Sequence, residues 1–428
     1  DQGFKDHRVF SNYGAILLSR RELRNAEFYT RKAIELKPDF KDAHLNLGSI
    51  LREIGDLTKA ELYTSKAIEL NPNDADSYLN YGNILKIIGK LNEAEISYIK
   101  AIELKPDFAD AQFHLGELFM DLGKIKDYIK LSKSKSYSKS VNEGNKLLTT
   151  LTISIAYLIN GSFPELLISI NRANEFINQG KVNTIKDIKN KKYFLSFFLF
   201  IKSLYPLLEK RSDIHDLEKI PHFGESHCLS FAHQTLSLSS KLNKIQPVLI
   251  TGGKAWYFAK EEQNKWKDSL NQQIKNHNYS DKAFISFGEI DCKKDDNMLD
   301  YSIKKDKDIY SVCENIVEGY LNFMELTLSP YYSKRYYFGV PAPAIRSRIP
   351  DELDTKRNIM VKIFNSLLKK EVLSRGSYFL DVYELTSTID GVNNKIHMCD
   401  QTHLSPKCLA ILFQNHLYKP NSYFELTS

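Results

Sequence analysis

The chain has 428 residues, enough for two or three domains that each bury a full core. Its 59 Lys and Arg against 53 Asp and Glu leave a formal charge of +6, spread along the chain, which argues against a dedicated nucleic-acid or anionic-membrane surface. Five cysteines with no Cys-x-x-Cys pair argue against a disulfide framework and for a reduced compartment, so a cytoplasmic location is expected. The most apolar stretch, Tyr193 to Leu208, is interrupted by Lys202 and Pro206 and is shorter than the ~20 residues of a spanning helix. It reads as a buried helix, and no membrane partner is expected. The opening Asp1-Gln2-Gly3 carries no methionine, which is compatible with a fragment.

From the N-terminus, Gly14, Gly48, Gly82 and Gly116 recur every 34 residues. Ala26, Ala60 and Ala94 keep the same register, as do Ala33, Ala67 and Ala101; small residues at such positions let paired helices approach closely. Pro38, Pro72 and Pro106 end each period, because proline cannot continue a helix and biases its predecessor away from helical geometry. The pattern resembles the tetratricopeptide-repeat family. It predicts an all-α superhelix over residues 1–142, with full repeats at 7–40, 41–74 and 75–108. A degenerate repeat follows at 109–142, where Leu115, Gly116 and Phe119 are in register but Tyr128 replaces the small residue. The polar run Ser132 to Ser140 then reads as a solvated loop. The resemblance implies a concave groove for a protein or peptide; the alternative is that the groove packs only on the rest of the chain.

Residues 143–217 return to helical patterning in Leu147 to Ile159, Pro164 to Ile177 and Lys191 to Leu208, without the repeat register. These helices are expected to extend the solenoid and buttress the C-terminal domain. From residue 218 to 428 short β-rich runs alternate with helix-length segments: Ile220 to Phe223, Pro247 to Thr251, Ala283 to Phe287, Tyr336 to Val340 and Tyr378 to Val382. The alternation predicts an α/β domain, a parallel sheet with helices on both faces and ligands bound beyond the carboxyl ends of the strands.

Those strand ends carry Gly224-Glu225-Ser226-His227, Gly252-Gly253-Lys254 and Gly288-Glu289-Ile290-Asp291, and a late segment reads Asp400-Gln401-Thr402-His403. This ordered set resembles the SGNH (GDSL-like) hydrolase family across about residues 218–420. The resemblance implies a flavodoxin-like α/β domain with Ser226 as nucleophile, His403 as base and Asp400 as its orienter. It assigns the oxyanion hole to Ser226 with Gly252 or Gly253. A serine hydroxyl is a weak nucleophile at neutral pH, so it needs a histidine to take its proton and a carboxylate to fix the imidazole tautomer. The implied activity is hydrolysis or transfer of an ester such as an acylated glycan, with no cofactor. The two outcomes stay open, because the acceptor is decided by pocket shape and water exclusion.

Ile290 departs from the family pattern Gly-x-Asn-Asp, since its side chain cannot donate a hydrogen bond. One lost oxyanion donor typically costs about 10²- to 10³-fold in rate. The second reading is therefore a domain of this fold that has lost turnover and serves a repeat scaffold; a repeat-fused glycosyltransferase is weaker, as no nucleotide-sugar signature appears. Lys254 or His227 is the candidate substitute donor. Gly288 and Asp291 are expected to support the site, Asp291 by ordering its loop rather than by pairing with Glu289. Cys228, Cys292 and Cys399 lie near the motifs, but their spacing fits no zinc signature and no metal is expected. Arg346 and Arg348 read as loop arginines that could clamp an anion.

Overall fold

A computed structural model describes residues 6–134, 143–185, 188–208, 217–238, 240–292, 298–344, 352–400 and 402–420. The chain forms two compact units: residues 1–119 with 130–141 and 263–268, and residues 120–129 with 142–262 and 269–428. Residues 135–140 of the polar run, Arg346, Arg348 and the Ile290 side chain lie outside the described part.

The N-terminal part is built from helix pairs: α1 (His7–Ser19) with α2 (Leu23–Leu36), α3 (Lys41–Ile54) with α4 (Leu57–Leu70), and α5 (Ala75–Ile88) with α6 (Leu91–Leu104). The fourth period contributes α7 (Ala109–Asp121) and α8 (Ile125–Ser132). Close approach explains the first glycine series. A Cβ on Gly14 or Gly48 would overlap Thr30 or Thr64 of the paired helix, and one on Gly82 the Tyr98 ring. The alanines in register are fully buried. A second series, which the 34-residue pattern of Gly14 does not reveal, sets the turns inside the pairs: Gly55, Gly89 and Gly123 have φ of +97°, +88° and +71°, and Arg21 holds the same place at +61°. Glycine adopts this left-handed geometry without steric cost.

In the second unit, α9 (Glu143–Asn160), α10 (Phe163–Asn178) and α11 (Ile188–Leu204) share one compact body with a seven-stranded sheet. The end of α9 is tied to the sheet side: the Leu158 carbonyl accepts from His233 Nε2 at 2.7 Å and the Ile159 carbonyl from Gln246 Nε2 at 3.0 Å. The strands are β1 (Glu218–Gly224), β2 (Thr235–Leu238), β3 (Lys241–Leu249), β4 (Lys282–Ser286), β5 (Lys334–Phe338), β6 (Tyr378–Leu380) and β7 (Leu417–Tyr418). Their order is β2-β3-β1-β4-β5-β6-β7. The inner five are parallel as predicted, whereas β2 and β7 add antiparallel edges, so the sheet is mixed. Four and two residues are too short to show a period, which is why neither edge was legible. One buried cluster joins Ile220, Phe284 and Phe338 of the strands to Leu404, Leu409 and Leu412 of the C-terminal segment. That packing anchors the chain immediately after residue 403.

Candidate active site

β1 lies between β3 and β4, and the turns that leave these three strands carry the motif residues. Ser226 follows the end of β1 and opens the short helix α12 (His227–Ser230). A Cβ on Gly224 would overlap the Ser286 side chain of β4, so glycine lets the first turn leave the sheet at that point.

The Asp400 segment arrives from the far end of the chain as a tight turn. Asp400 Oδ1 accepts the backbone N–H groups of Thr402 and His403, both at 2.7 Å, and Oδ2 accepts from His403 Nδ1 at 2.8 Å. His403 Nε2 then faces Ser226 Oγ at 3.0 Å. Burial by itself pushes the Asp400 carboxyl up, but the bonds from the His403 ring and from the two backbone N–H groups outweigh it and hold it down to about 2. With Asp400 ionised, Nδ1 carries the ring proton and Nε2 presents a lone pair to the serine. Ser226 and His403 are both buried.

Two further residues act on this relay. Phe200, on α11, stacks on the His403 ring with centroids 3.7 Å apart and planes 16° apart, and is itself fully buried. Glu225 Oε2 accepts from Ser226 N–H at 3.0 Å and lies 2.9 Å from Ser226 Oγ. The hydroxyl proton thus has two acceptors, His403 and Glu225. Neither contact is visible in the sequence: Phe200 is one apolar residue in an apolar helix, and Glu225 is one residue of the block Gly224-Glu225-Ser226-His227.

The expected oxyanion donors are differently engaged. Ser226 N–H is bonded to Glu225, and Gly253 N–H closes a turn on the Ile250 carbonyl at 3.0 Å. Gly252 holds φ +68°, and Ile250 N–H donates to the Gly224 carbonyl at 2.8 Å, which sets the 252–253 turn beside the end of β1. Gly288 has φ +115°, and a Cβ there would meet the Phe364 ring. Asp291 accepts from Ala255 N–H at 2.8 Å and Trp256 N–H at 3.1 Å, tying the β4 turn to the β3 turn; its burial pushes its carboxyl up to about 6. Of the two candidate substitute donors, His227 packs its ring 5.0 Å from His403, while Lys254 Nζ lies 5.7 Å from the Tyr257 ring.

Cys228, Cys292 and Cys399 are free thiols, and burial pushes those of Cys228 and Cys292 well up. Among the described residues the ligand-type atoms that converge belong to Glu225, His227 and Glu289. Also among the described residues, no helix is long and apolar enough to cross a membrane.

Comparison with known proteins bears on the repeats. Tetratricopeptide-repeat family models match residues 42–74, 63–96 and 82–123. No curated protein matches the chain. Among solved structures, MamA from Desulfovibrio magneticus RS-1 is 16% identical with a TM-score of 0.37, covering 42% of this chain and 98% of that one. YrrB, described as a TPR protein with an unusual peptide-binding site, is 18% identical with a TM-score of 0.32, over 45% and 93%. The first TPR of Spaghetti (RPAP3), bound to an HSP90 peptide, is 21% identical with a TM-score of 0.27, over 28% and 99%. The N-terminal part of this chain is an all-α superhelix of tetratricopeptide repeats.

Proposed function

We propose that the second unit is an SGNH-like serine esterase or O-acyltransferase, and that the repeats hold a protein or peptide. The observation that carries the enzymatic reading is the continuous relay Asp400–His403–Ser226, with bonds of 2.8 and 3.0 Å. The inner parallel strands run β3-β1-β4-β5-β6, which is the flavodoxin-like order with its crevice at the β1/β4 reversal, and Ser226 leaves β1 there. In the reaction Ser226 Oγ bonds to the acyl carbon as its proton passes to His403 Nε2. The ester C–O bond breaks, and the leaving alkoxide takes that proton. Water or an acceptor hydroxyl then repeats the sequence on the acyl-serine, restoring Ser226.

A second reading, a scaffold that has lost turnover, draws on Ile290 and on the engagement of Ser226 N–H with Glu225. Labelling with a serine-reactive fluorophosphonate separates the two. One adduct on Ser226, absent in Ser226→Ala and His403→Ala, supports the enzyme; no adduct on folded wild type sinks it. For the repeats, a groove lined by Tyr78, Tyr81, Leu85 and Ile96 suits apolar peptide side chains. Peptides captured from a display library should bind at least 10-fold more weakly to Tyr81→Ala; equal binding removes this groove as the docking surface.

A further inference from the structure

The segments that leave β3 and β4 border a cleft that the acyl-transfer relay does not use. After the 252–253 turn the chain forms α13 (Ala255–Ala259), and beyond the β4 turn come α14 (Met298–Lys305) and α15 (Ile309–Leu328). Two cavities of about 210 and 380 Å³ lie among these helices, and Trp256 of α13 and Tyr301 of α14 line both. The larger falls within the roughly 300–1,000 Å³ of small-ligand clefts. The two rings are half-buried and meet edge to face, with centroids 4.7 Å apart and planes at 70°. Trp256 is fixed through its backbone: its N–H donates to Asp291 at 3.1 Å, and Asp291 also accepts the Ala255 N–H at 2.8 Å. The β4 turn thereby holds the residue that carries the indole.

The rest of the lining sets the chemistry. Among the described residues, Lys254, Lys304 and Lys307 stand against Asp291, Asp300 and Asp308, so neither sign of charge is in excess. An anion would meet the carboxyl groups, a cation the ammonium groups, and an acyl chain would give the polar groups nothing to bond. A sugar ring suits both parts of the lining. Its C–H face can lie on an aromatic ring, whose face carries partial negative charge, and its hydroxyls both donate and accept. The Asn315 amide, in the larger cavity, can also do both.

We propose that the two cavities bind a neutral saccharide of at least two rings, with Trp256 and Tyr301 as the shared wall along which successive units lie. No motif advertises the site, because Trp256 and Tyr301 stand 45 positions apart on helices that follow different strands. Since β1 lies between β3 and β4, a saccharide against Trp256 is at the same carboxyl edge of the sheet as Ser226. Its role there, as the alcohol part of the ester or as the acyl acceptor, rests on the serine reading; the binding does not.

The test uses the full chain carrying Ser226→Ala, which prevents turnover, on an array of neutral and charged oligosaccharides, followed by calorimetry with the strongest binder. A neutral oligosaccharide is expected, bound at least 10-fold more tightly than its monosaccharide. Trp256→Ala should weaken it at least 10-fold, Trp256→Phe less, and circular dichroism checks that both fold. The chain has two tryptophans, so the fluorescence of Trp266→Phe reports Trp256 alone and should shift as the saccharide binds. No neutral oligosaccharide bound by folded protein, or binding unchanged in Trp256→Ala, overturns the site; preference for sulfated or sialylated chains overturns the neutral ligand. Fluorophosphonate labelling of wild type reads the serine separately. Labelling without saccharide binding removes the cleft and keeps the nucleophile, and saccharide binding without labelling keeps the cleft and removes its part in acyl transfer.

Discussion

In the repeats, residues that fix the packing meet partners less than one period away: Gly14 meets Thr30, Gly48 meets Thr64 and Gly82 meets Tyr98. In the second unit the decisive partners are distant. Ser226 reaches His403 across 177 positions, and His227 reaches the Thr402 carbonyl across 175. A contact that recurs at short range leaves a period in the sequence, so a change there should act locally. A site assembled by strand order leaves only separate fragments, and its parts should fail together.

The sharpest way to break this contrast is at the relay. Asp400→Asn should slow fluorophosphonate labelling of Ser226 by about 10⁴-fold, because the imidazole loses the partner that fixes its tautomer. A rate within tenfold of wild type, read by intact-mass spectrometry, would remove Asp400 from the site. Phe200→Ala should cost about 3–5 kcal/mol of second-unit stability, as expected for truncating a buried phenylalanine, and should also slow labelling by loosening His403. Hydrogen exchange across α11 and the His403 turn measures the first effect. Phe200→Leu, which fills more of the space, should recover part of both.

Gly48→Ala sharpens the other side of the comparison. The added Cβ meets Thr64 of the paired helix, and overpacking of this kind costs about 1–3 kcal/mol. Exchange protection should fall in residues 41–74 with little change in Ser226 labelling, and Thr64→Ala in the same chain should restore it. If protection falls equally throughout the chain, the repeats are not locally coded.

The smallest effect concerns His233, whose ring is held down to about 4, chiefly by burial, while it donates to the Leu158 carbonyl. Its folded value is below the ordinary 6.5, so the unfolded chain binds the extra proton between the two. The contribution is complete above about pH 6.5 and is lost as pH falls toward 4, by about 1 kcal/mol over the first unit. Burial holds His222 down in the same direction. Asp291 opposes them, because a carboxyl pushed up to about 6 keeps its proton in the folded state and favours lower pH. Comparing denaturation midpoints of wild type and His233→Gln from pH 7 to 5 isolates the one histidine; parallel curves would exclude it.

Much of the second unit was legible as pieces. All five inner strands were anticipated, though β3 starts at Lys241 rather than Pro247, since its early pairing with β2 depends on an edge too short to display a period. Ser226, Asp400 and His403 were expected from their motif blocks, and their side chains lie within hydrogen-bond distance of one another in the order Asp400–His403–Ser226. Phe200 was not expected, because nothing in an apolar helix says which ring will face an imidazole. The engagement of Ser226 N–H by Glu225 was equally hidden, as it depends on the rotamer that one carboxylate takes beside the serine.

Sequence alone determined the repeat period and its helix pairs, because small residues at close approaches and helix-ending prolines act within one repeat of where they stand. It also determined which residue types could form a serine relay. Only the tertiary structure decided that β1 lies between β3 and β4, that the Asp400 turn closes on Ser226, that Phe200 covers His403, and that Glu225, His227 and Glu289 converge. Those meetings follow from strand order and core packing across long separations, which no local spacing encodes.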